Sequence, residues 1–172
     1  MDTAAFWAII ERTRQAGAGD TEAHVELLTE ALAALPKQTI VDFQTLLIAQ
    51  LNRAFLPALW DAAYLMNGGC SEDGFLYFRA WLVAQGALIF EKALLDPESL
   101  TGAVGEEDVE PFETELLMSA APDAYERLTG SQLPQTHSPA QFFDTHWSDE
   151  LRPEEYEAQL ERRYPRLAER FL

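Results

Sequence analysis

Arg79 is the residue that most demands a chemical explanation. It lies inside "GFLYFRAWLVAQG", a run that is otherwise almost wholly apolar. A guanidinium keeps its charge in practice, and burying it unpartnered is costly. Arg79 therefore needs a carboxylate, main-chain carbonyls or a bound anion. Asp61, on the preceding helix, is the preferred partner, with Asp42 and Glu72 as alternatives. Such an ion pair fixes how two helices pack. The competing reading is a pocket in which Arg79 grips an anionic ligand, with Asp61, Trp60, Tyr64, Asn67 and Gln85 around it. Tyr and Trp suit that role because an apolar ring carries a polar tip.

Cys70 is the second candidate. It stands before a helix start in "NGGCSEDG", where a helix dipole can lower a thiol pKa. Glu72 and Asp73 oppose a thiolate, and the three histidines, His24, His137 and His146, form no diagnostic nucleophile motif. A small buried residue at a tight turn is the favoured reading, and no catalytic residue is assigned. The glycines before a helix could cradle an anion. The stretch lacks the lysine of a phosphate loop and the spacing of a dinucleotide fingerprint, so no cofactor is expected.

Metal chemistry finds little support. "FFDTHWSDE" places Asp144, His146 and Asp149 together, and "GEEDVEPFETE" holds six acids in eleven residues. Neither matches a known ligand spacing, and solvated charge explains both.

The elements that must carry these residues read as helical throughout. A first helix spans Thr3 to Gln15, with Phe6, Ile9, Ile10 and Thr13 on one face. Asp20 or Thr21 caps a second to Leu35, striped by Val25, Leu28, Leu32 and Leu35. A third follows Pro36 to about Phe55, carrying Ile40, Phe43, Leu47 and Leu51. Pro57 opens a fourth, which Asn67-Gly68-Gly69 ends. The fifth runs from Ser71 to Leu95. Both of its faces are apolar, so it is expected at the centre of the bundle, with Gly86 in mid-helix marking a close crossing. "DPESLTGAVGEED" is a connection with one short turn. A sixth helix spans Glu110 to Leu128, kinked or divided at Pro122. Residues 129–150 are a long loop or arm bearing Phe142, Phe143 and Trp147, expected to pack back onto the core. A short helix from Pro153 to Arg163 and a tail close the chain. The reading is all-α and single-domain, with 1–128 as the helical core.

Composition narrows the function. The chain has 172 residues, is 48% hydrophobic and 11% aromatic, and so can bury a real core. Its net charge of −17, with twelve Lys and Arg, disfavours nucleic-acid binding and docking on an anionic membrane. Residues 1–86 hold ten acids and five bases, and residues 87–172 hold nineteen and seven. Arg162, Arg163, Arg166 and Arg170 make the end locally basic, suited to folding against the acidic stretch before it. One cysteine permits no internal disulfide, which fits a reducing compartment. "MDTAAFWAII" lacks a basic start and does not read as a signal peptide, so a cytoplasmic location is expected.

Three blocks look familiar: "FWAII", "LWDAAYLMNGGCSEDGFLYFRAWLVAQG" and "RRYPRLAERF". Together they resemble the bacterial domain of unknown function 4240 family. The resemblance implies a small bacterial domain and no catalytic residue.

The sequence thus favours a non-enzymatic interaction module that binds a basic protein partner through an acidic face. A small-molecule binder or enzyme built around Arg79 is the competing class, and an acidic mimic of nucleic acid is the third. Oligomeric state is left open.

Overall fold

The computed structural model describes residues 1–105, 111–135, 137–140 and 152–172. The described residues form an all-α bundle with no strand.

The first four helices follow their capping and spacing signals. Helix α1 (Thr3–Ala16) starts at Asp2, whose carboxylate accepts from the Ala5 N–H, and it buries Phe6, Ile9, Ile10 and Thr13. Helix α2 (Thr21–Ala33) is capped by Asp20, which accepts from the Ala23 N–H. It ends two residues before Leu35. Helix α3 (Lys37–Arg53) buries Ile40, Phe43, Leu47 and Leu51. Helix α4 (Pro57–Asn67) opens on Pro57 and stops at Gly68, whose φ of 65° is the left-handed conformation glycine tolerates best.

The expected long fifth helix is two helices. Helix α5 (Glu72–Ala84) buries ten of its thirteen residues, which makes it the central element. The chain then breaks, and helix α6 (Ala87–Leu95) follows. Gly86 causes the break. Its φ of 90° and ψ of 167° fall in a region that side chains other than hydrogen rarely enter. A Cβ there would also stand 2.4 Å from Glu11 Oε2 of α1. The close approach at Gly86 is real, but it sits between helices rather than within one.

The later chain departs further. A 3-10 helix (Pro97–Gly102) provides the short turn after α6. The expected Glu110–Leu128 helix is replaced by an extended piece, a 3-10 helix (Glu115–Ser119) and α7 (Ala120–Thr129). Pro122 kinks nothing, because it lies in the first turn of α7, where its missing N–H has no intrahelical partner. Helix α8 (Pro153–Arg163) has the expected bounds, and the supposed tail is helix α9 (Pro165–Phe171). The expected packing of Phe142, Phe143 and Trp147, the group Asp144, His146 and Asp149, and the acids Glu106, Glu107, Asp108 and Glu110 lie outside the described residues.

Helix α5 packs against α1, α3, α4 and the Glu115–Ser119 turn, while α2 lies along α1 and α7. Helices α8 and α9 dock on α4. The basic end folds onto the acidic stretch in part, through Arg166. Arg166 bonds Glu98 and Asp96, and Arg170 donates to the carbonyls of Thr101, Val104 and Gly105. No helix among the described residues is long and apolar enough to cross a membrane.

Candidate functional site

Arg79 is fully buried, as its apolar surroundings require. Its partner is not Asp61. Nε donates to the Phe75 carbonyl at 3.3 Å, one Nη to the Leu51 carbonyl at 3.0 Å and the other to the Ala140 carbonyl at 2.6 Å. The guanidinium also lies over the rings of Phe55 and Phe75, at 4.8 and 4.9 Å. Among the described residues it bonds to no carboxylate, and burial pushes its pKa down to about 10. The Ala140 peptide is held at both ends, since its N–H donates to Asn52 Oδ1 at 2.8 Å. Asn52 carried no sequence signal, because a lone amide at the end of a helix has no distinguishing context.

Neither alternative is among the bonded partners of Arg79. Asp42 accepts from the Met1 ammonium. Glu72 sits in the first turn of α5, where a carboxylate suits the helix dipole.

Asp61 forms a separate centre. It is 1% exposed and takes the Tyr156 hydroxyl at 2.5 Å and Arg163 at 3.3 Å. Tyr164 also bonds it, and burial first, then the Asp61 charge, pushes that phenol up to about 12. Asp61, Tyr156, Gln159, Leu160, Arg162 and Arg163 line a cavity of about 380 Å³. Because α8 supplies five of those residues, nothing in the α4 sequence announced it.

The remaining pocket candidates scatter. Trp60 packs edge-on against Phe75 in the core. Tyr64 meets Tyr156 edge-on and reaches Glu157 at 3.4 Å. Asn67 accepts from the Phe112 N–H at 2.8 Å, fixing the extended piece against α4. Gln85 caps the end of α5 and donates to the Trp81 carbonyl. Arg79 and Asp61 thus belong to two separate polar centres, and Asn67 and Gln85 make their bonds elsewhere.

The corner "NGGCSEDG" is a helix stop followed by a helix start. Gly68 ends α4, and Ser71 Oγ accepts from the Gly74 N–H at 3.0 Å. Burial, reinforced by the charge of Glu113, pushes the Cys70 thiol up to about 12. A thiol that keeps its proton is a poor nucleophile. His24 is buried, with Nε2 meeting no partner among the described residues, and burial holds its pKa low.

A concave acidic surface lies between α2, α7 and the Glu115–Ser119 turn. Glu22, Val25, Glu26, Thr29, Leu116 and Asp123 line a groove of about 550 Å³. Leu116 is half exposed there. Arg127 bonds Glu26 at 2.9 Å and feels the charges of Asp123 and Glu30.

A family model described as "Protein of unknown function (DUF4240)" matches residues 1–127. The match takes in "FWAII" and the central block, and it ends before "RRYPRLAERF". No curated protein and no solved structure matches the chain.

Proposed function

The chain belongs to the DUF4240 family, and we propose that it is a non-enzymatic interaction module whose acidic groove receives a basic segment of a partner protein. The groove between α2 and α7 carries this reading. Its rim is acidic at Glu22, Glu26 and Asp123, and its floor is apolar at Val25 and Leu116. A segment with Lys or Arg flanking an apolar residue matches both features: the charges steer the encounter and the apolar contact retains it. The net charge of −17 extends the attraction beyond the groove.

The test is affinity capture from cytoplasm with the wild-type chain and a Glu22→Lys/Asp123→Lys variant. Both residues are exposed, and Arg127 is left with Glu26. A stoichiometric basic protein should be captured at low salt, released at about 1 M salt, where screening acts within about 3 Å, and missed by the variant. Capture that the variant retains would overturn the groove. Displacement of the partner by duplex DNA would favour the mimic of nucleic acid instead.

A further inference from the structure

His24 and Thr114 bring two buried polar atoms to one cavity, and neither atom has a partner among the described residues. The atoms are Nε2 of a ring only 5% exposed and Oγ1 of a threonine only 4% exposed. The cavity measures about 90 Å³, and Arg14, Asp20, Thr21 and Gln85 also line it. Exposed Asp20 and Thr21 mark its mouth, and buried His24 and Thr114 its floor. The geometry points to a binding site for a small neutral molecule that carries a hydrogen-bond donor beside an acceptor, an amide or a hydroxyl compound of about four heavy atoms.

Hydrogen bonding is the first argument. The His24 ring bonds to the Ile10 carbonyl, and because Nε2 is unpartnered, Nδ1 makes that bond. Nε2 of the neutral ring is then an acceptor that needs a donor, while the Thr114 hydroxyl can give or take a bond. One amide or hydroxyl compound serves both, donating to His24 and accepting from Thr114. Buried polar atoms are rarely left unsatisfied, and cavities that stay empty have apolar walls.

Charge sets the class. An anion would face the Nε2 lone pair and the Asp20 carboxylate. A cation would face Arg14, which pairs with Glu11 at 2.8 Å yet still outweighs it at the His24 ring. A neutral guest avoids both conflicts and the cost of burying a charge. Size sets the limit. At about 30 Å³ per water, the space holds about three waters or one molecule of about four heavy atoms. The cavity residues named all lie within the family-matched residues 1–127, so the site is part of the family domain. The acidic groove uses other residues of α2, and this inference does not rest on it.

The experiment titrates the full chain with acetamide, acetate and acetamidinium, which share a shape and differ in charge. The readout is the ¹⁵N resonance of His24 Nε2, identified by its absence from His24→Leu. Millimolar acetamide should move it upfield and saturate, as a donor reaches the lone pair. The two ions should bind at least about tenfold more weakly, because each must bury its charge. Thr114→Val removes the unpartnered hydroxyl and keeps the main-chain bond from Thr114 to the Tyr77 carbonyl. It should weaken acetamide by about threefold or more without lowering the stability of the unliganded chain. Ethylene glycol separates the two sources: tighter binding than acetamide assigns a hydroxyl compound, and weaker binding assigns an amide. If Thr114→Val does not fold, the comparison of the three charges on the wild-type chain decides. A resonance that acetamide never saturates would leave ordered water as the sole occupant and overturn the proposal. Equal responses to all three charges, or undiminished binding to a folded Thr114→Val, would overturn it as well.

Discussion

Tyr156 donates its hydroxyl to Asp61 across 95 positions of sequence, at 2.5 Å, and so ties α8 to the buried side of α4. Two of the partners of Asp61 differ in setting. Tyr156 is 4% exposed, while the Arg163 side chain is 66% exposed. Tyr156→Phe should cost about 1–3 kcal/mol, because it removes a donor from a buried carboxylate. Arg163→Ala should cost under about 1 kcal/mol, as exposed ion pairs do. Urea denaturation of both variants checks the ranking, and equal losses would mean that Asp61 is anchored mainly by charge.

Gly86 divides the central apolar run by its backbone conformation. Gly86→Ala should destabilise by about 1–3 kcal/mol through strain at positive φ. The nearby Glu11 carboxylate can swing aside, so adding Glu11→Ala should recover little of that loss. Thermal unfolding of the single and double variants decides the cause, and full recovery would assign the cost to the clash.

Acid should act in two windows. His24 is held neutral in the fold, first by burial and then by Arg14, so its folded pKa lies below the unfolded value of about 6.5. The unfolded chain binds the proton more readily, and this contribution is lost as pH falls below about 6.5. Glu11, Glu26, Asp42, Glu91 and Glu155 are also lowered, chiefly by hydrogen bonds to Arg14, Arg127, the Met1 ammonium, Arg53 and Arg152. Their contributions are present above about pH 4.5 and fade below it. His24→Leu should flatten the stability profile between pH 5 and 6.5, taken as about the titration range of histidine, and leave the lower window intact. Urea midpoints across pH give both slopes, and an unchanged upper slope would exclude His24 as its source.

Cys70 should be chemically quiet. Its thiol is raised to about 12 from 9.0, first by burial and then by Glu113. At pH about 8, iodoacetamide should modify native Cys70 at least tenfold more slowly than the urea-unfolded chain, following the fraction of thiolate. Mass spectrometry over time reads both rates. Equal rates would show that the thiol is neither shielded nor raised.

The sequence by itself determined the helical class, most helix starts and the burial of Arg79. These follow from local causes: apolar spacing, Asp2, Asp20 and Ser71 as caps, Pro57 and Pro153 in first turns, and Gly68 as a stop. It misread Gly86, because a run apolar on both sides of a break has the same periodicity as one continuous buried helix. The contents of the site were legible only in part. An arginine in an apolar run announces that it needs partners, and the side-chain alphabet suggested Asp61. Tertiary structure chose main-chain carbonyls instead, including that of Ala140, 61 positions away. Every residue carries a carbonyl, so no residue type marks that partner. Asp61 was likewise claimed by Tyr156 and Arg163 from α8, a docking that depends on how the chain returns to α4. Local physics writes caps and faces into the sequence, while pairings between distant segments arise only when packing brings their backbones together.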